Sequence, residues 1–165
     1  MINRIPNQYF ITSGVGESNY EIHAGSYHMA LYDAGIHNYN IISYSSVMPP
    51  TAYEINKTDI LIPFGSELYT IMSCIHGEKN EYITCGLAFG ELYNDNIKIG
   101  NIVCEVNNKD ENIDIKKQLS NSINDLYDRT YMQYQLKNIT YITRKFRPKL
   151  KYGTALISIC FYDYI

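Results

Sequence analysis

The chain has 165 residues, 45% of them hydrophobic and 19% charged. That is a globular composition with enough apolar material for one core. A formal net charge of -3 with no long basic run argues against a nucleic-acid groove or an anionic membrane surface as partner. Seventeen tyrosines stand beside no tryptophan; a tyrosine packs an apolar body while keeping its hydroxyl bonded, which suits exposed strands or subunit contacts without naming a partner. Cys74, Cys85, Cys104 and Cys160 are scattered through strand-like segments with no C-x-x-C pair. They read as small buried hydrophobes in a reducing compartment, and no zinc site is expected. The opening MINRIPNQYFITSG lacks a continuous apolar run, so no signal peptide is expected, and nothing approaches the length of a membrane span. A cytoplasmic location follows, in which the N-x-T triplets at Asn56 and Asn138 carry no meaning.

In chain order, QYFITSG reads as a strand ending at Gly14, and GVGESNYE as a loop punctuated by Gly14 and Gly16. That loop has neither the Lys-Ser/Thr ending of a phosphate loop nor the full G-x-G-x-x-G spacing. GSYHMALYDAGI predicts a helix capped by Ser26, with Tyr27, Ala30, Leu31 and Ala34 on one face and Gly35 as a left-handed terminus. YNIISYS is a strand whose adjacent Ile41 and Ile42 suit burial on both faces. A short segment at Ile60 to Ile62 precedes a turn at Pro63-Phe64-Gly65, and Glu67 to Ile75 is a longer strand. GEKNEY is a polar turn, YITCGLAFGEL a returning strand, YNDNIKIGN another turn, NIVCEV a strand and NNKDEN a loop. Asp114 to Tyr134 predicts the clearest helix, with Ile115, Leu119, Ile123, Leu126 and Tyr127 in one stripe. NITYITRKF and YGTALISICFYDYI are two closing strands separated by RPKLK. Helices and strands without a regular βαβ rhythm favour a mixed α+β sandwich over a doubly wound sheet.

The stretch NYNIISYSSVMPP, Asn38 to Pro50, carries two readings. Serines often end strands and bond nearby backbone, and Pro49-Pro50 is a strand stop. A serine held on a rigid turn can also attack the carbonyl before it, turning an amide into an ester. β-Elimination then cuts the chain and leaves dehydroalanine, which hydrolyses to an N-terminal pyruvoyl group. This requires a nucleophile, a donor for the oxyanion and a rigid turn. Ser46, Asn40 or a backbone N–H, and Val47 to Pro50 are the residues available.

GVGES and SYHMALYDAGIHNYNIISYSSVMPP resemble the pyruvoyl-dependent arginine decarboxylase family, which carries an aromatic-Asp-x-Ala-Leu helix, an Ala-Gly-Ile turn, an Asn-hydrophobic strand and a Ser/Thr-Ser-hydrophobic-x-Pro cleavage site. Tyr27, Ala30, Leu31, Ala34-Gly35-Ile36, Asn40, Ser45-Ser46 and Pro49 carry the likeness. ITCGLAFGELYNDNIKIGNIVCEV looks like the family's hairpin leading to a Glu-bearing strand, and YITRKFRPKLKYGTALISICFY is similar to the closing strands of chlamydial-type bacterial members.

The resemblance implies a single domain, 1–165, with the α+β fold of a four-layer αββα sandwich. It implies cleavage between Ser45 and Ser46, giving a β chain of residues 1–45 and an α chain of 46–165 headed by a covalent pyruvoyl group made from Ser46. Asn40 would assist processing and Glu105 would be the catalytic acid. The assembly would be a homotrimer or a dimer of trimers with active sites at subunit interfaces, so that Glu105 is expected to meet Ser46 across a subunit boundary. The implied activity is carboxy-lysis of a small amino acid, L-arginine to agmatine and carbon dioxide, with no metal.

One position departs from the pattern. Where the family helix places the Asp that binds the substrate guanidinium, this chain has His28. A carboxylate grips a guanidinium bidentately and an imidazole does not. Asp33 lies five positions on and is expected to face elsewhere; His23, His37 and His76 are expected to be structural or solvent-facing. His28 therefore keeps open a different amino-acid substrate, or a non-cleaving relative that serves binding or scaffolding. An unrelated small β-rich binding domain is the third reading.

Overall fold

The computed structural model describes residues 4–165, so the first three residues of the implied 1–45 fragment lie outside it. One sheet holds β1 (Pro6–Ser18), β2 (Asn40–Ser43), β4 (Tyr53–Glu54), β5 (Glu67–Glu78) and β9 (Tyr152–Tyr164), in the order β2-β5-β9-β1-β4. The other holds β3 (Val47–Met48), β6 (Ile83–Asn94), β7 (Ile97–Asn108) and β8 (Gln135–Phe146), in the order β3-β7-β6-β8. A wide π turn at Ile22–Tyr27 runs into α1 (His28–Asp33), and α2 (Ile115–Thr130) follows β7. The chain forms an α+β domain, in which no helix among the described residues is long and apolar enough to cross a membrane.

The central strand β9 shows why the closing sequence is apolar almost throughout. It is buried from Gly153 to Phe161, and alternate side chains serve opposite faces. Ile157, Ile159 and Phe161 join Ile71 and Ile75 of β5 against Ile83, Leu87, Phe89 and Val103 of the second sheet. Leu156 and Cys160 point the other way, into a cluster with Phe10, Ala30, Leu31 and Ala34. A third cluster sets Leu119 and Ile123 of α2 on Ala88, Leu92, Ile102 and Cys104. Each fully buried Leu, Ile or Phe contributes about 1.5–3 kcal/mol.

The predicted loop GVGES is instead the end of β1, paired with β9 as far as Ser18 and Tyr152. Gly14 and Gly16 do not punctuate the chain; they let helix backbone lie on the strand. A Cβ on Gly14 would stand 2.6 Å from the backbone N of Ala34, and one on Gly16 2.6 Å from the carbonyl carbon of Met29. Ser26 is not a cap either. It is buried inside the π turn, its hydroxyl 2.9 Å from that of Thr154. Gly35 does end α1 in the left-handed region, with φ +66°. Its N–H donates to Tyr32 and that of Ile36 donates to Leu31, the paired closure of a Schellman motif. The last predicted helix is shorter at both ends: Asp114 caps it by accepting from Lys117 N, and it stops at Thr130. The strand predicted to end at Ile75 continues to Glu78, and the turn before β7 is only Asp95-Asn96, because β6 and β7 pair out to Asn94 and Ile97.

Gly16→Ala therefore drives a methyl into helix backbone and is expected to cost about 3 kcal/mol. Gly65→Ala meets nothing within 4 Å but keeps a φ of +82°, and should cost about 1 kcal/mol from the backbone alone. Urea melts of both variants check the order; equal losses would mean that the helix does not rest on that strand.

Candidate active site

The Ser45-Ser46 pair bridges the two sheets. Tyr44 donates its N–H to Thr70 O at 2.8 Å, in the first sheet, and Ser46 O accepts from Val103 N at 2.9 Å, in the second. β3 then pairs Val47 with Ile102 and Met48 with Asn101. Met48 is buried in the core between the sheets, and Tyr44 packs against the same core. Between these anchors the backbone closes a three-residue turn in which Val47 N–H donates to Ser45 O at 3.0 Å. The carbonyl of the Ser45–Ser46 bond thus carries a fixed donor on its oxygen.

β3 spans only two residues, and beyond Val103 the edge of β7 has no strand beside it among the described residues. A cleft of about 420 Å³ opens there, lined by Ser46, Val103, Cys104 and Glu105 and, from α2, by Ser122, Asp125, Leu126, Arg129 and Thr130. Burial raises the Glu105 carboxyl above the usual carboxylate range, opposed by its own backbone N–H and by the hydroxyl of Ser46. The expectation that Glu105 reaches Ser46 across a subunit boundary needs correcting: the two face each other within one chain, because β3 lays Ser46 directly on β7. A serine at position 46 with the Glu105 carboxyl beside it is a setting that a pyruvoyl group made from that serine would fit.

Other predicted residues lie elsewhere. Asn40 is exposed at the start of β2; its Nδ2 donates to Gly65 O at 2.7 Å and its own N–H donates to Ser66 O. Its side-chain amide thus ties β2 to the Pro63–Ser66 turn. Ser45 lines a separate cleft with Arg4, Pro6 and Tyr44. His28 lines a third, of about 360 Å³, with His23, Tyr27, His37, Tyr39 and Asn40. His23, exposed as expected, and the half-buried His37 share that cleft with His28, whereas His76 bonds Thr154 Oγ1 at 2.8 Å. Asp33 faces away from both clefts, accepting from Val15 N at 2.9 Å with Arg144 at 3.6 Å. All four cysteines are free. Burial pushes Cys74 to about 11 and Cys85 and Cys160 to about 12, and raises Cys104, so none supplies a thiolate at neutral pH. Sequence reasoning missed Val47 N–H, a backbone group with no side-chain signal, and the α2 residues Asp125 and Arg129, which lie off the apolar stripe of that helix.

A family model for pyruvoyl-dependent arginine decarboxylase matches residues 8–165. Curated relatives of that name include one from Picrophilus torridus, 40% identical over 76 residues, covering 44% of this chain and 40% of the relative. Another, from Methanocella arvoryzae, is 37% identical over 71 residues, 42% of each chain. Pyruvoyl-dependent arginine decarboxylase 2 of Archaeoglobus fulgidus is 38% identical over 93 residues, 53% of this chain and 57% of the relative. The chain spans about half the length of the curated relatives it matches. The chain belongs to the pyruvoyl-dependent arginine decarboxylase family.

The raised Glu105 fixes the sign of a stability effect. A carboxyl whose folded pKa lies above its unfolded value, about 4.3, contributes stability that is fully present below that value and is lost as pH rises through the folded pKa. Glu105→Gln should therefore gain stability on the parent as pH rises from about 4 to 7. Urea melts across that range check it; a difference that does not change with pH would mean that burial does not govern this carboxyl.

Proposed function

We propose that the chain cuts itself between Ser45 and Ser46 and acts as a pyruvoyl-dependent amino-acid decarboxylase, taking L-arginine to agmatine and carbon dioxide. The observation that carries the reading is the 3.0 Å hydrogen bond from Val47 N–H to Ser45 O. Ser46 Oγ is covalently tied next to the Ser45 carbonyl carbon, and attack there moves negative charge onto the oxygen that Val47 already holds, where a preorganised donor is worth most. Glu105, facing the Ser46 hydroxyl, can take its proton. The amide becomes an ester; elimination breaks the ester at Ser46 Cβ and frees Ser45 as a carboxylate; hydrolysis of the resulting dehydroalanine releases ammonia and leaves a ketone. Asn40 would assist only by holding the strand, since its amide is already engaged with Gly65.

A pyruvoyl group held at position 46 would supply a carbonyl for the substrate amine and an electron sink for loss of carbon dioxide. Glu105 then has the second task of delivering a proton to the substrate α-carbon. Its raised pKa keeps a larger protonated fraction near neutrality than a free carboxyl has, which suits a donor. The printed names of the relatives support arginine as substrate. The finer architecture is part of the same proposal: a single domain packed as a four-layer αββα sandwich, supported by three separate apolar clusters, and a homotrimer or dimer of trimers, supported by apolar side chains left exposed at Leu61 and Phe64. A cytoplasmic location fits four free thiols.

Intact-mass measurement of the purified protein tests the core of this. Two fragments are expected, residues 1–45 and 46–165, with the second lighter than its sequence by the conversion of serine to pyruvoyl. Ser46→Ala should leave one chain and abolish agmatine release from arginine. A parent chain that stays whole after long incubation would instead support a non-catalytic relative.

A further inference from the structure

Among the described residues, the cleft that holds His28 offers a guanidinium no carboxylate. Its lining includes three histidines, two tyrosines and Asn40 but no carboxylate, and it shares no lining residue with the cleft of Ser46 and Glu105. An imidazole is neutral or cationic, never anionic, so it cannot form the paired, charge-assisted bonds that a guanidinium needs. The carboxylate missing at residue 28 must come from elsewhere if arginine is to be held.

The Ser46 cleft has one. Asp125, on the fourth turn of α2, lines it along with Ser46 and Glu105, and is the only carboxylate there besides the Glu105 acid among the described residues. It already holds a guanidinium. Arg129, one helical turn on, donates Nε to Asp125 Oδ1 at 2.9 Å and a terminal nitrogen to Oδ2, both oxygens engaged in the fork geometry that an arginine substrate would present. Both side chains are largely exposed, at 74% and 57%. An ion pair so open to water is weak and exchangeable. Ser46 and Asp125 line one cleft of about 420 Å³.

We propose that Asp125, rather than the residue at position 28, takes the substrate guanidinium, with Arg129 occupying the site until substrate displaces it. The proposal rests on the decarboxylase reading for the reaction but not for the binding step. Asp125 is a specificity-determining residue, and the chain would hold nucleophile, proton donor and guanidinium acceptor in a single cleft.

Calorimetric titration of agmatine into the purified protein, both as isolated and as the uncleaved Ser46→Ala variant, tests binding apart from chemistry. Asp125→Asn is expected to weaken agmatine at least tenfold, whereas Asp128→Asn, on the same exposed helix but outside the cleft, should change it less than twofold. Arg129→Gln, which frees the carboxylate, should tighten agmatine severalfold. In the cleaved enzyme Asp125→Asn should raise KM for arginine more than it lowers kcat. Unchanged agmatine affinity in Asp125→Asn, or weaker binding in Arg129→Gln, would overturn the assignment even if cleavage at Ser45–Ser46 is observed. Failure of the parent to cleave, with the agmatine affinities behaving as stated, would remove the decarboxylase reading and leave the binding site standing.

Discussion

Everything at the Ser46 site depends on the chain being gripped once by each sheet within three residues. Tyr44 belongs to the first sheet through Thr70, and Ser46 to the second through Val103. The peptide between Ser45 and Ser46 is the crossing. Neither grip is long: β2 has four residues and β3 has two. They hold because their neighbours are buried in the core between the sheets, Met48 on one side and Tyr44 against Tyr69 and Phe161 on the other. Fixing both ends of so short a crossing leaves the backbone little freedom, and the tight turn from Ser45 O to Val47 N is the result. The same arrangement means that the two sides of the bond are held independently, so breaking it would not release either end.

The brevity of β3 also makes the cleft. Pro49 and Pro50 have no N–H to give a ladder, so pairing with β7 stops at Met48. Gly100 contributes at that end, since a Cβ there would stand 2.7 Å from the Met48 carbonyl oxygen. In the other direction the chain leaves for the first sheet at Ser45. β7 is therefore covered at Asn101 and Ile102 and bare along its edge at Cys104 and Glu105, with α2 standing over it. A longer β3 would have paired Glu105's strand fully and closed the space. Partial burial of Glu105 is the electrostatic consequence of this geometry, with enough enclosure to disfavour charge and enough opening to admit a small molecule.

Much of this was legible in the sequence where a residue type has one dominant physical reason. Gly35 after a helical stripe meant a left-handed terminus, and Ile115, Leu119 and Ile123 meant a buried helix face. Pro49-Pro50 meant an early end to a strand. The failures share a cause: they turn on what lies opposite in space. Gly14 and Gly16 look the same in a sequence whether they loosen a loop or clear room for a helix; only the Ala30 and Ala34 backbone above them decides. Ser26 resembles a cap until Thr154, 128 positions away, is seen to hold its hydroxyl. Asn40 matched a family motif, yet its amide is taken by Gly65. The donor on the Ser45 carbonyl is a main-chain N–H, and a main-chain group has no signature in a list of side chains.

Position 28 shows the same limit from the opposite direction. A substitution of Asp by His looks like a loss of arginine recognition only if recognition resides at one residue. Physically, a guanidinium is held best by a carboxylate that can turn both oxygens to it at the right reach from the reacting carbon, and any backbone position that meets those terms will serve. α2 can supply such a carboxylate because it stands over the bare edge of β7, and its one-turn spacing of Asp125 and Arg129 keeps that carboxylate oriented while no substrate is present. An acid at residue 28 would face a separate cleft, reaching Ser46 only through another copy of the chain, whereas Asp125 shares the cleft of Ser46 and Glu105 in a single copy. On the proposed assignment, recognition of a guanidinium moves from α1 to α2, because the cleft of Ser46 holds a carboxylate and, among the described residues, that of His28 holds none.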